Sequence, residues 1–496
     1  MKLLLALALW LPLSAPVDDP APPAIDRATI EALVAEFTDK ALIEVKVAGS
    51  LAMQGTLSVE FVEKDGQELV LLEQTLEGKM VALGEESTIS SETRSWYLLS
   101  GRGELHSGEM RETEDGATRN SKIVKTETGY RRTLEVFGEE GSEELGPIDD
   151  SLEGYLQATR WLSEPRQEGD SITIPSVSWT QLDLPTSESI YYLGPASFEF
   201  RGKTIAGHRL RTISDGMIFE GVHWPSGEMF SAKGAGGLIE IQMVEQFSSF
   251  DDANRPDLAT TLKLSIDVPL GDPYRLEELV LEAPPSARGV FTNGPRQKVV
   301  ESERGVTISI SSDAEESKPS ALDEKERAKW TEPKPEYALD AVRARAKEIV
   351  GEEIHPVEQA VLLSNWVEET LEYTAAQNAV SALEVLKNES GDCSEYSLLF
   401  VALARSLGIP AREVSGYVWA EDEEFGSGFF GHAWAEIYDG KGWWSVDPTW
   451  GQLGVDAGHL VVEPAKDYQL LELMGSGTFE FSLIRLSRAK AWDEEE

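Results

Sequence analysis

Cysteine is almost absent from this chain. Cys393 is its one thiol among 496 residues, so no intrachain disulfide can form. Basic residues are scarce as well, with 44 Lys and Arg against 88 Asp and Glu, a formal net charge of -44. A field of that sign repels nucleic acid and anionic lipid surfaces, which argues against a nucleic-acid partner. Beyond residue 16 no stretch is apolar enough to cross a membrane, and no sequence repeat of fixed period is found. With one cysteine the cysteine-rich structural zinc sets cannot form, and no metal or cofactor is expected.

What is present begins with an address. Lys2 precedes an apolar run from Leu3 to Leu13, broken by Pro12, and the small residues Ser14 and Ala15 follow. The run is shorter than the roughly 20 residues a spanning helix needs, so residues 1–15 are expected to be a signal peptide. The mature protein is then expected in a periplasm or outside the cell, with no integral membrane segment. In such a compartment a lone thiol must be buried or used.

From residue 42 to 311 the dominant pattern is strand-like. Segments 43–47, 57–61, 130–136, 197–201 and 236–244 alternate apolar and polar residues, and Asp65-Gly66, Asp115-Gly116 and Asp215-Gly216 supply turns. Helical spacing is expected at 26–37 and again near 150–162. The expectation is a largely antiparallel β-rich half in two units, 25–168 and 169–312. Residues 313–330, polar and charged, read as a linker. A helical and then mixed α+β domain follows over 331–490, ahead of an acidic tail at 493–496.

That last domain holds the chemistry. Asp392 and Glu395 have capping-box spacing around Cys393, while Tyr396, Leu399, Phe400, Leu403 and Leu407 form an apolar stripe ended by Gly408 and Pro410. Cys393 is therefore expected on the first turn of a buried helix, where free N–H groups and the helix dipole favour a thiolate. Segments 411–419, 432–438 and 443–447 read as three strands, with an acidic, Gly-rich loop at 421–431 and a turn at Asp439-Gly440. Antiparallel pairing brings His432 and Asp447 together, so the Asp can orient an imidazole that activates the thiol. Taken singly, a lone Cys, a strand His and an Asp before Pro are ordinary structural residues; the combination favours catalysis.

The segments Gly391-Asp-Cys-Ser-Glu, Gly431-His-Ala-Trp-Ala-Glu and Ser445-Val-Asp-Pro-Thr together resemble the core of the transglutaminase-like superfamily, over about residues 337–462. The resemblance implies a papain-like α+β fold with Cys393 as nucleophile, His432 as base then acid and Asp447 as orienting carboxylate. It implies acyl chemistry on amide bonds of a protein or peptide substrate, through a thioester and without a cofactor. Water as acceptor gives a protease or amidase, and a lysine amine gives a transglutaminase; hydrolysis is the leading expectation, since no calcium loop is evident. Gln377 or Asn378 could supply an oxyanion donor, Trp434, Trp443, Trp444 and Trp450 could line a groove, and His459 is expected to be a structural hydrogen-bonder. The rival reading is a non-catalytic cell-envelope binding or scaffold protein that keeps the fold.

Overall fold

A computed structural model describes residues 27–489, apart from 29, 32–40, 137–138, 149, 177–185, 215–216, 252–254, 313–321, 333–339, 376–378, 380 and 478. The signal segment, the Asp215-Gly216 turn, Gln377, Asn378 and the acidic tail lie outside the described residues. Of the helix expected at 26–37, residues 27, 28, 30 and 31 are described, and they are helical. The fold class is α+β with a large antiparallel N-terminal sheet. No described helix is long and apolar enough to cross a membrane.

The chain divides into two compact units. The first comprises residues 1–80 and 87–256; the second comprises 81–86 and 257–496. Among the described residues, the first unit is organised by a 14-stranded antiparallel sheet running from Glu139–Leu145 at one edge to Ser171–Ser176 at the other. Two meanders make it. They join where Ala41–Val47 pairs with Ser50–Lys64 on one side and with Ile239–Val244 on the other. Alternation explains its faces: in Glu85–Leu98, Ile89, Ser91, Thr93, Ser95 and Tyr97 are buried, while Thr88, Ser90 and Arg94 are exposed. The helix Leu152–Ser163 covers part of the buried face through Leu152 and Leu156, which pack with Val70, Tyr97 and Ile123. Residue 169 lies in the stretch between the two meanders, whose outer strands, Glu139–Leu145 and Ser171–Ser176, are the opposite edges of the one sheet.

Residues 257–312 belong to the second unit and not to the first. The strands Leu276–Ala283, Gln297–Glu301 and Val306–Ser311 form a small sheet with Glu480–Arg488 and, on its other side, the short strand Ser265–Ile266. Its core of Leu279, Leu281, Phe291 and Ile308 packs on Trp419, Phe429 and Phe481. The domain expected over 331–490 is therefore larger, with strands supplied from upstream. Part of the expected linker is ordered as the helix Glu324–Thr331, which Asp323 and Glu326 begin with a reciprocal capping box.

The rest of the second unit places one helix against one sheet. Cys393–Ser406 is surrounded by the helices Asp340–Val350, Pro356–Thr370 and Ala382–Asn388 and backed by strands Ala411–Asp422, Gly426–Tyr438 and Trp443–Asp447. Leu399, Phe400, Leu403 and Ala404 are wholly buried between these layers. Residues 426–431 extend the His432 strand rather than forming a loop, pairing in register with 417–422. Burial of Phe429 against Trp419 and Phe481 stabilises that extension. Truncation of Leu403 to Ala removes a fully buried side chain and should cost about 2–5 kcal/mol. The expected reading is a clear drop in the urea midpoint of the transition that includes this helix; an unchanged midpoint would contradict the packing described.

Candidate active site

The Cys393 helix starts where its sequence says it should. The Asp392 side chain accepts from Ser394 N–H at 2.7 Å, and Glu395 reaches back to Asp392 N–H at 2.9 Å. Such a box stabilises a helix start by about 1 kcal/mol. Gly391 makes it possible: a Cβ there would lie 2.3 Å from the Cβ of Glu395, so any larger residue would collide with the folded-back glutamate. Tyr396 anchors the first turn by donating its hydroxyl to Leu371 O at 2.6 Å.

His432 lies inside its strand, and the next strand brings Asp447 beside it. Ala435 pairs with Val446 and Glu436 with Ser445, so the chain after Val446 runs alongside Trp434 and His432. His432 Nε2 donates to Asp447 Oδ2 at 2.8 Å. Asp447 Oδ1 accepts from Thr449 N–H at 2.9 Å. The ring of His432 lies between those of Trp434 and Trp450, tilted 23° and 29° from them with centroids 6.2 and 5.2 Å away. These two indoles fix the imidazole plane and keep water from the pair. Cys393 meets the same strand at the neighbouring residue, where the N–H of Ala433 donates to its sulfur. Thus the helix and the two strands bring Cys393, His432 and Asp447 to one place.

The electrostatics differ from the sequence expectation at one point. Burial pushes the Cys393 thiol well above its ordinary value, and Asp392, Glu395 and Asp447 push in the same direction. The Ala433 N–H opposes them. The helix N-terminus expected to give a thiolate is outweighed, first by burial of the sulfur and then by its own capping carboxylates. The resting thiol keeps its proton. Asp447 behaves oppositely. Burial resists its ionisation, but His432 and the hydrogen bonds from His432 and His459 hold its carboxyl well below the usual carboxylate range.

His459 is the site residue that sequence reading undervalued. Its strand, His459–Val461, pairs with Tyr417 and Val418, and the close approach demands Gly416, whose Cβ would lie 2.1 Å from Leu460 O. That brings His459 Nε2 to 3.3 Å from Asp447 Oδ2 and Nδ1 to 3.2 Å from Asp456 Oδ1. Burial alone would lower its pKa, yet the bonds to Asp447 and Asp456 raise it above the ordinary histidine value. The Gly-His dipeptide carried half of this signal: Asp456 stands three residues before His459, but Asp447 lies on another strand. Of the four tryptophans, Trp434 is buried core, Trp444 is exposed, and Trp450 touches both His432 and Tyr274. Trp443 faces Arg412, whose guanidinium carbon is 4.1 Å from its centroid.

The donor atoms of His432, Asp447 and His459 lie within 4.8 Å of one another as one hydrogen-bonded cluster. Hydrogen bonds already join them, and a cation there would have to displace the proton His432 shares with Asp447.

Residues 343–448 match the family model of the transglutaminase-like superfamily. A segment is 32% identical over 118 residues to an uncharacterised protein of Mycobacterium leprae, covering 23% of this chain and 42% of that protein. Another comparison gives 35% identity over 121 residues with a protein-glutamine gamma-glutamyltransferase of Pseudomonas aeruginosa, covering 22% of this chain and 18% of that one. The chain spans less than half the length of the curated relatives it matches. Among solved structures, the periplasmic domain of TgpA from Pseudomonas aeruginosa aligns with 40% of this chain and 85% of its own at 16% identity and a TM-score of 0.26. Residues 343–448 are thus a transglutaminase-like domain within the longer chain.

Proposed function

We propose that the protein is an exported cysteine enzyme that cleaves or transfers the acyl group of a protein or peptide amide, with Cys393 as nucleophile, His432 as base and then acid, and Asp447 as orienting carboxylate. One observation carries the reading. His432 donates to a buried carboxylate while its chain neighbour Ala433 donates to the Cys393 sulfur. The apolar run Leu3–Leu13 behind Lys2 supports export.

The chemistry follows from the protonation states. With Nε2 of His432 committed to Asp447, Nδ1 remains for the thiol proton. Cys393 Sγ attacks the amide carbonyl carbon as its proton passes to His432, forming the C–S bond. The C–N bond then breaks, and His432 returns the proton to the departing amine, leaving a thioester on Cys393. Water attacks the thioester carbon and gives a proton to His432. The C–S bond breaks, the acid is released, and the proton returns to the sulfur. A lysine amine in place of water yields an isopeptide by the same steps. Hydrolysis is the leading reading; the gamma-glutamyltransferase named among the relatives supports the amine route. A thiol held protonated at rest suits this scheme, because deprotonation is coupled to attack.

Two outcomes test it. Mass spectrometry after a brief incubation with a casein digest should find an acyl adduct on Cys393 and none in Cys393→Ala. Adding a fluorescent amine then distinguishes transfer from hydrolysis. His432→Ala should lose about three orders of magnitude or more in turnover. Equal product from wild type and Cys393→Ala would sink the enzyme reading.

The pH dependence has a definite sign. Since burial, then Asp392, raises the thiol, alkylation of Cys393 by iodoacetamide should be slow at pH 7 and still be climbing above the ordinary thiol value. Asp392→Asn keeps a side-chain acceptor for the helix cap and removes one charge. Its rate profile should move to lower pH, with about tenfold faster alkylation on the acid side for each unit moved. A profile that stays in place would show that the carboxylate is not what holds the proton.

A further inference from the structure

Asp447 Oδ2 receives two imidazoles, and the one outside the proposed reaction is more deeply placed. The side chain of His459 is completely buried, as is that of Asp447. Both its ring nitrogens face carboxylate oxygens, at 3.2 Å on Asp456 and 3.3 Å on Asp447. Ionised carboxylates only accept hydrogen bonds, and a neutral imidazole has a single N–H, so both contacts are made only by the doubly protonated ring. Asp456 is itself built in: its Oδ1 accepts from Gly458 N–H at 2.7 Å, and its Oδ2 from Gln452 at 3.2 Å. Arg296 donates to the backbone oxygens of Val455 and Asp456. The segment holding His459 is thus fixed from both sides.

We propose that His459 is a positioning residue for the His432–Asp447 pair, a buried imidazolium clamped between Asp456 and Asp447 that fixes the Asp447 carboxylate and offsets its charge at Cys393. The assignment rests on the catalytic reading of Cys393, His432 and Asp447. A buried carboxylate beside a thiol opposes the thiolate, and Asp447 acts on Cys393 in that direction. A cation on the far side of the same oxygen reduces this opposition without taking the carboxylate from His432. The charged and titratable groups facing His459 are Asp447, Asp456 and His432, whose ring centroid is 5.7 Å away. Tyr274 and Arg296 are the next groups coupled to the two carboxylates. Trp434 and Trp450 close the remaining sides with ring centroids at 5.2 and 5.8 Å. His459 is therefore walled off from water and from competing charge.

The test combines two measurements on the full chain. In wild type, the ¹⁵N spectrum of the imidazoles should show one of the six histidines with both ring nitrogens protonated at pH 7, and that signal should vanish in His459→Gln. A His459 with one bare nitrogen at pH 7 overturns the proposal. The second measurement is the pH profile of Cys393 alkylation by iodoacetamide in wild type and His459→Gln. Losing the cation leaves Asp447 uncompensated, so the midpoint should rise by about one unit, with alkylation about tenfold slower below it. A variant that is slower at every pH with the midpoint in place, or not slower at all, assigns His459 a structural role and overturns the proposal. Should His459→Gln fail to fold, the wild-type spectrum, assigned by comparison with His432→Ala, still decides. Failure of the enzyme reading is separate: it shows as an equal product yield from wild type and Cys393→Ala, whatever the state of the His459 ring.

Discussion

A carboxylate buried without neighbouring cations or donors would lose its charge or unfold its surroundings. Asp447 keeps its charge because four segments converge on it: the His432 strand, its own strand, the Thr449 turn and the short strand carrying His459. Each convergence has a structural price of admission elsewhere. Gly416 lets the His459 strand approach, and Trp434 and Trp450 close around the imidazoles. The arrangement of the candidate site is thereby tied to the packing of the sheet rather than to a mobile loop.

Around the sulfur the balance runs the other way. The capping carboxylates that start the helix stand close to Cys393, and their charge opposes the very thiolate that a helix N-terminus would otherwise favour. Helix stability and nucleophile ionisation are in conflict at Asp392 and Glu395. The conflict has a chemical use in the proposed scheme: a protonated thiol in an exported protein resists oxidation, since the thiolate is the form that reacts.

The parts legible in the sequence are those set by local chemistry. The capping box, the apolar stripe behind Cys393 and the Asp439-Gly440 turn each lie within a few residues, and the helix and hairpin are where they were expected. Alternation likewise revealed the N-terminal strands. What escaped was pairing over long separations: Ala41–Val47 against Ile239–Val244, and Leu276–Ala283 against Glu480–Arg488. Alternation says which face of a strand is buried but not which strand lies beside it. The thiol's direction escaped because burial sets it first, and burial follows from tertiary packing rather than from the neighbouring residues. His459 looked ordinary because Asp447, the second carboxylate that defines it, is brought to it only by strand pairing, although Asp456 lies three residues away.

The pairing of Leu276–Ala283 with Glu480–Arg488 also governs when this unit can exist during synthesis. Leu281 waits for Leu483, and Ser265 for Glu480, about 200 residues further along. At ribosomal rates of roughly 5–20 residues per second, that interval lasts on the order of ten seconds or more. Over that time the apolar faces of the upstream strands lack their partner, and the unit cannot be completed until the last strand has emerged. The thiol-bearing fold is in this sense timed by its final strand.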